Sequence, residues 1–252
     1  MKVFKWTYLS LCAWSLTPSA HSDEVNYYVI ANQARPFQIE VDGQHQEGIV
    51  TDIVKSIFAQ SEHTVNYHTY PFNRMISILD AGGEQNWLTY GSPSWGKAQS
   101  ENLSEEPIYT VKHTLVTSSQ KPFSFQGIED LKNKGVVLLM GFDYPQLTPY
   151  IEQGYLEEIR VKDYQAAFRV VSRTPGETAF VEMTSRVNYN IRQLRLNPTH
   201  YSQQPFELVV PDYDIYLAFS PSMDSQLQAF INRRLKEIKQ SGELQAIIDK
   251  YI

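Results

Sequence analysis

Apolar positions along the chain fall into blocks of two different periods. Ile49, Ile53 and Ile57 recur every four residues beside Val50, Val54 and Phe58, so Gly48 leads a helix with one broad buried face. Val25 to Ala31 reads as a strand, Arg35-Pro36-Phe37 as a turn, and Val65 to Tyr70 alternates as a strand. A helix from about Asn73 to Leu79 ends at Gly82-Gly83, and Trp87-Leu88 close the next strand. Strand and helix in strict alternation predict an α/β fold with a parallel sheet and crossover helices. A second set follows Val116-Thr117-Ser118-Ser119. Gly127 to Lys134 is a short helix, and the continuous apolar run Val136 to Met140 fits a strand buried on both faces. Next come a helix beyond Pro145, a strand near Glu158 to Val161, a helix from Asp163 to about Arg173 and a strand at Ala179 to Glu182. The chain returns through Phe206 to Val210 and Asp214 to Phe219. Two amphipathic helices finish it, lined by Leu227, Ile231 and Leu235 and, past Gly242, by Leu244, Ile247 and Tyr251.

The first 22 residues follow neither period. Lys2 and Lys5 precede an apolar run from Tyr8 to Leu16, and Ala20-His21-Ser22 supply small residues two apart, which together predict a secretory signal peptide over 1–22. Cys12, the single cysteine, lies inside it, so the mature chain is expected to lack disulfides, thiolate nucleophiles and cysteine metal ligands. The leader carries two of the 22 Lys and Arg and none of the 28 Asp and Glu, which moves the formal charge from -6 to -8 on cleavage. That balance argues against nucleic acid or anionic lipid as a partner. The 16 Tyr, 12 Phe and 4 Trp suit either a core or a ligand cleft.

Candidate chemistry concentrates between Thr89 and Tyr109. An apolar strand end runs into Gly91, and Ser92, Ser94, Trp95 and Lys97 follow within six residues, placing hydroxyls, an aromatic face and a cation at a strand's carboxyl end, where open α/β sheets bind ligands. Enzyme signatures are missing from the sequence. The histidines after the leader, His45, His63, His68, His113 and His200, lack metal-ligand spacing, and there is no Gly-x-Ser-x-Gly elbow or phosphate loop. No catalytic residue, metal or cofactor is assigned.

From Val25 to Ile252 the order of these elements resembles the periplasmic solute-binding proteins of the polar amino acid group, extracellular solute-binding protein family 3. The resemblance rests on Arg35-Pro36-Phe37, the Gly48 to Phe58 helix, Gly91-Ser92-Pro93-Ser94, Leu103-Ser104 to Pro107-Ile108-Tyr109, Ile128 to Lys132, Gly141, and the tail from Tyr216 to Ser220 through Gly242 to Lys250-Tyr251. It implies a two-lobed type II binding-protein fold, each lobe a sheet flanked by helices, with the chain crossing near 117–121 and again near 209–213. Lobe 1 would hold 23–116 and 212–252, and lobe 2 would hold 117–211. It also implies a monomeric periplasmic protein that closes on a small polar or charged solute and serves an inner-membrane ABC-type permease. The alternatives are a sensory module for a membrane receptor, or a dehydratase-like enzyme using Glu182 or Asp143 as general acid.

Carried over residue by residue, Phe37 would stack on the ligand while Ser92 and Ser94 donate hydroxyls. Lys97 stands where the family usually has an arginine, and is either an anion contact of lower geometric discrimination or a solvated lysine. Gly141 to Tyr144 would open a helix whose amides suit an anionic or hydroxyl group, with Asp143 as N-cap or as partner for a ligand cation. An ungapped match puts Met183 at the family's amine-binding aspartate, with Glu182 one residue earlier. Arg74, after Tyr70-Pro71-Phe72-Asn73, is either a replacement anion clamp or a surface arginine.

Overall fold

The computed structural model describes residues 24–31, 33–41, 45–96 and 98–252. The leader with Cys12 lies outside the described residues, and so does Lys97.

β1 (Glu24–Ile30) is buried at every position after Glu24, as a central strand must be. After the short hairpin of β2 (Ile39–Val41) and β3 (His45–Glu47), α1 (Ile49–Phe58) crosses to β4 (Thr64–Tyr70), and α2 (Phe72–Asp80) crosses back to β5 (Trp87–Gly91). Both β4 and β5 pair with β1 in parallel, Ile30 opposite Tyr70 and Tyr27 opposite Leu88. Gly48 before α1 has φ 109°, and a Cβ there would sit 2.6 Å from the Phe37 carbonyl oxygen, so no larger residue fits. The short α3 (Ala98–Glu101) and β6 (Tyr109–Val111) follow, and β6 edges the sheet, whose order is β4-β1-β5-β12-β6.

The second sheet, ordered β11-β7-β10-β8-β9, comprises β7 (His113–Ser118), β8 (Gly135–Leu139), β9 (Glu157–Val161), β10 (Thr178–Met183) and β11 (Tyr201–Pro205). Its helices are α4 (Thr148–Glu152), α5 (Tyr164–Arg173) and α6 (Thr184–Gln193). Asp163 caps α5 by accepting the Ala166 amide at 2.8 Å. Buried apolar residues lie on both faces of this sheet, in one cluster around Leu115, Val136 and Phe206 and another around Val116, Phe168 and Phe180. The chain then returns to the first sheet as β12 (Tyr213–Phe219), antiparallel to β5 with Leu217 opposite Tyr90, and ends in α7 (Ser225–Gln240) and α8 (Glu243–Tyr251), which cover α1.

Several expectations need correction. The chain changes sheets at Lys112, between β6 and β7, and not at 117–121. The run from Tyr109 to Ser118 contains neither glycine nor proline and stays extended while its partner changes from β12 to β10 and β11. The return runs through 206–212, overlapping the expected 209–213. Phe206 to Val210 is a turn, with the Val210 amide donating to the Phe206 carbonyl at 2.9 Å, and the polar edge strand β11 precedes it. Gly141 to Tyr144 opens no helix, because α4 starts only at Thr148. α6 was not anticipated, since Val187 and Ile191 are its only aliphatic residues.

Candidate functional site

Strands β1 and β5 of the first lobe and β8 and β10 of the second end facing one another. A Cβ on Gly141, just past β8, would lie 3.7 Å from the Gln33 amide nitrogen just past β1. Met183 and Tyr189 of the second lobe pack into the first lobe's core cluster, and the Arg192 guanidinium donates to the Tyr251 carbonyl. The two lobes are therefore in contact, and the residues between them are the candidate site.

The first-lobe wall is aromatic. Gln38 holds the loop after β1 in place, its amide oxygen accepting the Ile30 amide at 2.9 Å and its amide nitrogen donating to the Tyr27 hydroxyl and the Tyr28 carbonyl, each at 2.9 Å. That loop carries Phe37, fully buried, with its ring 6.1 Å from Tyr90 and 5.3 Å edge-on from Tyr109. Trp95 packs edge-on to Tyr90 at 5.5 Å and to Tyr213 at 6.3 Å. Gly91 lets the loop that bears Trp95 fold back, since a Cβ there would fall 1.9 Å from the Gln99 carbonyl oxygen.

The hydroxyls read from the sequence divide. Ser92 is buried and donates to the Asp214 carbonyl at 2.8 Å, so its proton is committed to holding β5 beside β12, while Ser94 is exposed and 3.0 Å from Ser92 Oγ. Arg74 is exposed, with its guanidinium over the Tyr70 ring at 5.1 Å. Asp143 is exposed too. Tyr144 turns inward. Its hydroxyl accepts the Leu139 amide at 3.1 Å, its ring lies under Arg160 at 5.1 Å, and burial pushes its phenol well above the ordinary value.

The most heavily buried charges lie where β10 runs into α6. Glu182 is buried, with Oε1 accepting the Met183 amide at 2.8 Å and Oε2 accepting the Tyr164 hydroxyl at 3.1 Å. One turn on, Arg186 is 5% exposed and brings Nη1 to 4.0 Å from Glu182 Oε1, too far for a hydrogen bond. Its guanidinium lies 5.1 Å from the Phe142 ring centroid, and its Nε has no hydrogen-bond partner among the described residues. The Tyr90 phenol of the other lobe lies against this guanidinium; burial pushes that phenol up to about 12 and Arg186 pulls the other way. Burial first, and Arg186 second, push His113 down to about 4, so its imidazole is neutral at physiological pH. Burial likewise raises the Glu182 carboxyl above its usual range, against the opposing pull of Arg186.

Sequence reasoning passed over Arg186. The signal it offered was spacing: Arg186 stands four residues after Glu182, immediately past a strand that ends at the cleft, so a helix there would bring the two side chains to one face.

A wider groove of about 900 Å³ lies at the edge of the lobe interface, between the β2–β3 hairpin, α6 and α8. Arg35, Arg192, Lys250, Glu40 and Glu47 are among the residues that line it, with Lys250 paired to Asp52 at 2.7 Å. Among the described residues no group of three or more His, Cys, Asp or Glu is placed to hold a metal ion, and no helix is long and apolar enough to cross a membrane.

The chain is 23% identical over 210 residues to PatH of Vibrio harveyi, provisionally named an amino-acid ABC transporter-binding protein, a match covering 81% of this chain and 79% of that one. Among solved structures it is similar to a chain from the glutathione import system of GshT and the cystine importer TcyBC of Streptococcus mutans (TM-score 0.70, 20% identity, 92% and 95% of the two chains covered). It is also similar to a histidine kinase sensor domain that itself resembles periplasmic binding proteins (TM-score 0.66, 20% identity, 92% and 97% covered), and to an ancestral arginine-binding protein bound to arginine (TM-score 0.63, 18% identity, 93% and 100% covered). These structures share the two-lobed fold. The profile of the bacterial extracellular solute-binding proteins, family 3, matches residues 28–252, and the chain belongs to that family.

Proposed function

We propose that this solute-binding protein captures a small solute between its lobes and presents the closed form to the permease of an ABC-type transporter. One observation carries the reading. Arg186 is buried at the contact between lobes with a donor unmatched by any described residue, which is costly for a purely structural interface and is repaid by an acceptor on a bound solute. Phe37, Tyr90 and Trp95 from one lobe and Tyr144, Glu182 and Arg186 from the other form the walls. Hinge opening would expose them to solvent and closure would bury the solute. On this reading the chain works as a monomer in the periplasm after loss of residues 1–22. On this reading the chain binds its solute without transforming it, and Glu182, accepting one bond each from Met183 and Tyr164, serves the wall of the cleft.

The test is thermal unfolding of the mature chain, stripped of carried solute by unfolding and refolding, against amino acids, organic acids, amines and short peptides. A true ligand at about a hundred times its Kd adds roughly 2.7 kcal/mol, a shift of several degrees. Failure of every solute to shift the midpoint defeats the reading. The likeness to a histidine kinase sensor domain favours a second reading, in which the closed form reports to a membrane receptor. Cellular uptake of the labelled solute that survives deletion of the gene would select this second reading over transport.

A further inference from the structure

We infer that the second lobe carries the anion subsite, and that the start of α6 with Ser185 and Arg186 takes the carboxylate of a solute with an aromatic or apolar body and no ammonium group. The inference rests on the binding reading above and names its solute class.

Four observations converge on this turn of chain. Met183, at the N-cap of α6, supplies no side-chain hydrogen bond, and the Thr184 amide is spent on the Lys112 carbonyl at 2.8 Å. The following amides, which cannot pair within the helix, are left at its positive end, where an anion is favoured. The Ser185 hydroxyl is buried beside the Tyr109 phenol without a well-formed hydrogen bond to any described residue. Arg186 adds a planar fork of donors, with the Tyr90 phenol against the guanidinium, Nε unpartnered and the Glu182 contact beyond hydrogen-bond distance. A carboxylate suits that fork, because it accepts two parallel bonds.

The same surroundings offer an ammonium group no carboxylate without a partner. The Glu182 charge faces Arg186 at 4.0 Å and each of its oxygens already accepts a bond, from Met183 or Tyr164; Asp143 is exposed, and Asp214 is bonded by Thr110 at 2.6 Å. What surrounds Arg186 beyond Glu182 is aromatic: Phe142 over its face, Tyr90 and Tyr213 from the opposite lobe, and Tyr164 from α5. Rings on both sides suit a flat or apolar ligand body, and their phenols remain protonated near neutral pH.

Three probes of one skeleton separate the possibilities. 3-Phenylpropanoate has the carboxylate alone, phenylalanine has both charges, and phenethylamine has the ammonium alone. Calorimetric titration of the stripped mature chain is expected to show binding of 3-phenylpropanoate, at least tenfold weaker binding of phenylalanine and none of phenethylamine. Arg186→Gln should weaken 3-phenylpropanoate at least a hundredfold. Since that variant leaves Glu182 unpaired, the double variant Glu182→Gln with Arg186→Gln, which removes both charges, should show the same loss with circular dichroism unchanged; Ser185→Ala should cost about five- to tenfold. Phenylalanine binding as tightly as 3-phenylpropanoate, or 3-phenylpropanoate binding equally well to the folded double variant, overturns the inference. So does silence from all three probes while another solute class raises the unfolding midpoint, an outcome that leaves the binding reading standing. If no solute of any class stabilises the chain, the binding reading falls as well.

Discussion

Replacing Glu182 by glutamine isolates the charge of one buried carboxylate at the lobe contact. Both hydrogen bonds survive the change: the amide oxygen can accept from Met183, and the amide nitrogen can donate to Tyr164, whose hydroxyl turns to accept. What remains is electrostatic. Attraction to Arg186 across 4.0 Å amounts to about 4 kcal/mol at an effective dielectric constant of about 20. Against it stands the cost of keeping a carboxylate out of water, several kcal/mol per ion. The two terms nearly cancel, and burial wins, which is why the Glu182 carboxyl titrates above its ordinary 4.5.

A carboxyl raised in the folded state holds its proton longer there than in the unfolded chain. Its contribution to stability is full below the unfolded-state value and is lost as pH rises through the folded-state value. Stability of wild type relative to Glu182→Gln should therefore fall as pH rises from about 4.5, by at most about 1.4 kcal/mol per pH unit for one proton. Arg186, Tyr164, Tyr144 and Tyr213, which surround the carboxylate, do not titrate in this range; His113 is held down by burial and by Arg186, both of which the substitution leaves in place, so its contribution cancels in the difference. Urea unfolding of both proteins in half-unit steps from pH 4 to 8 reads this difference directly. A flat difference, or wild type gaining as pH rises, refutes the balance drawn here.

His113, depressed from 6.5 to about 4, gives the opposite slope, because the unfolded chain takes its proton first. Stability should drop by roughly 3 kcal/mol between pH 6.5 and 4, a loss absent from His113→Asn; parallel profiles for the two proteins would contradict it. Gly91→Ala drives a methyl to 1.9 Å from the Gln99 carbonyl oxygen and should lower stability by about 1–3 kcal/mol, measured as a fall in Tm. Asp224 caps α7 by accepting the amides of Gln226 at 2.8 Å and Leu227 at 3.0 Å, so Asp224→Ala should cost about 0.5–2 kcal/mol in urea unfolding, with solute affinity unchanged in calorimetry.

The first lobe was the more legible of the two because its chemistry is apolar and periodic. The four-residue spacing of Ile49, Ile53 and Ile57 marks α1 without ambiguity, and all three side chains are fully buried. Membership of strands in sheets was harder to read. Nothing in the uninterrupted run from Tyr109 to Ser118 tells which partners each half will meet, since hydrogen bonding of β6 to β12 and of β7 to β10 joins residues 64 or more positions apart. The second lobe's edge misled for a related reason. Phe206, Leu208 and Val210 alternate like a strand, yet Leu208 is 69% exposed because the segment curls into a turn after β11.

The site was least legible where function and periodicity diverge. Ser92 and Ser94 read as hydroxyl donors because they stand at a strand's carboxyl end, but a serine at such an end serves the backbone as readily as a ligand, and Ser92 bonds the Asp214 carbonyl. Arg186 carried no apolar pattern to mark it. Its helix is polar along most of its length, and a guanidinium in such a helix is ordinarily solvated. Only the packing of Tyr90, Phe142 and Tyr164 around it removes water and turns Arg186 into a buried charge that needs a partner. Such a charge between two lobes is unfavourable unless both lobes, or a solute between them, satisfy it. On the proposed binding reading, an acceptor that fills the unpartnered Nε would favour the arrangement in which the lobes meet, and binding energy would become a conformational signal.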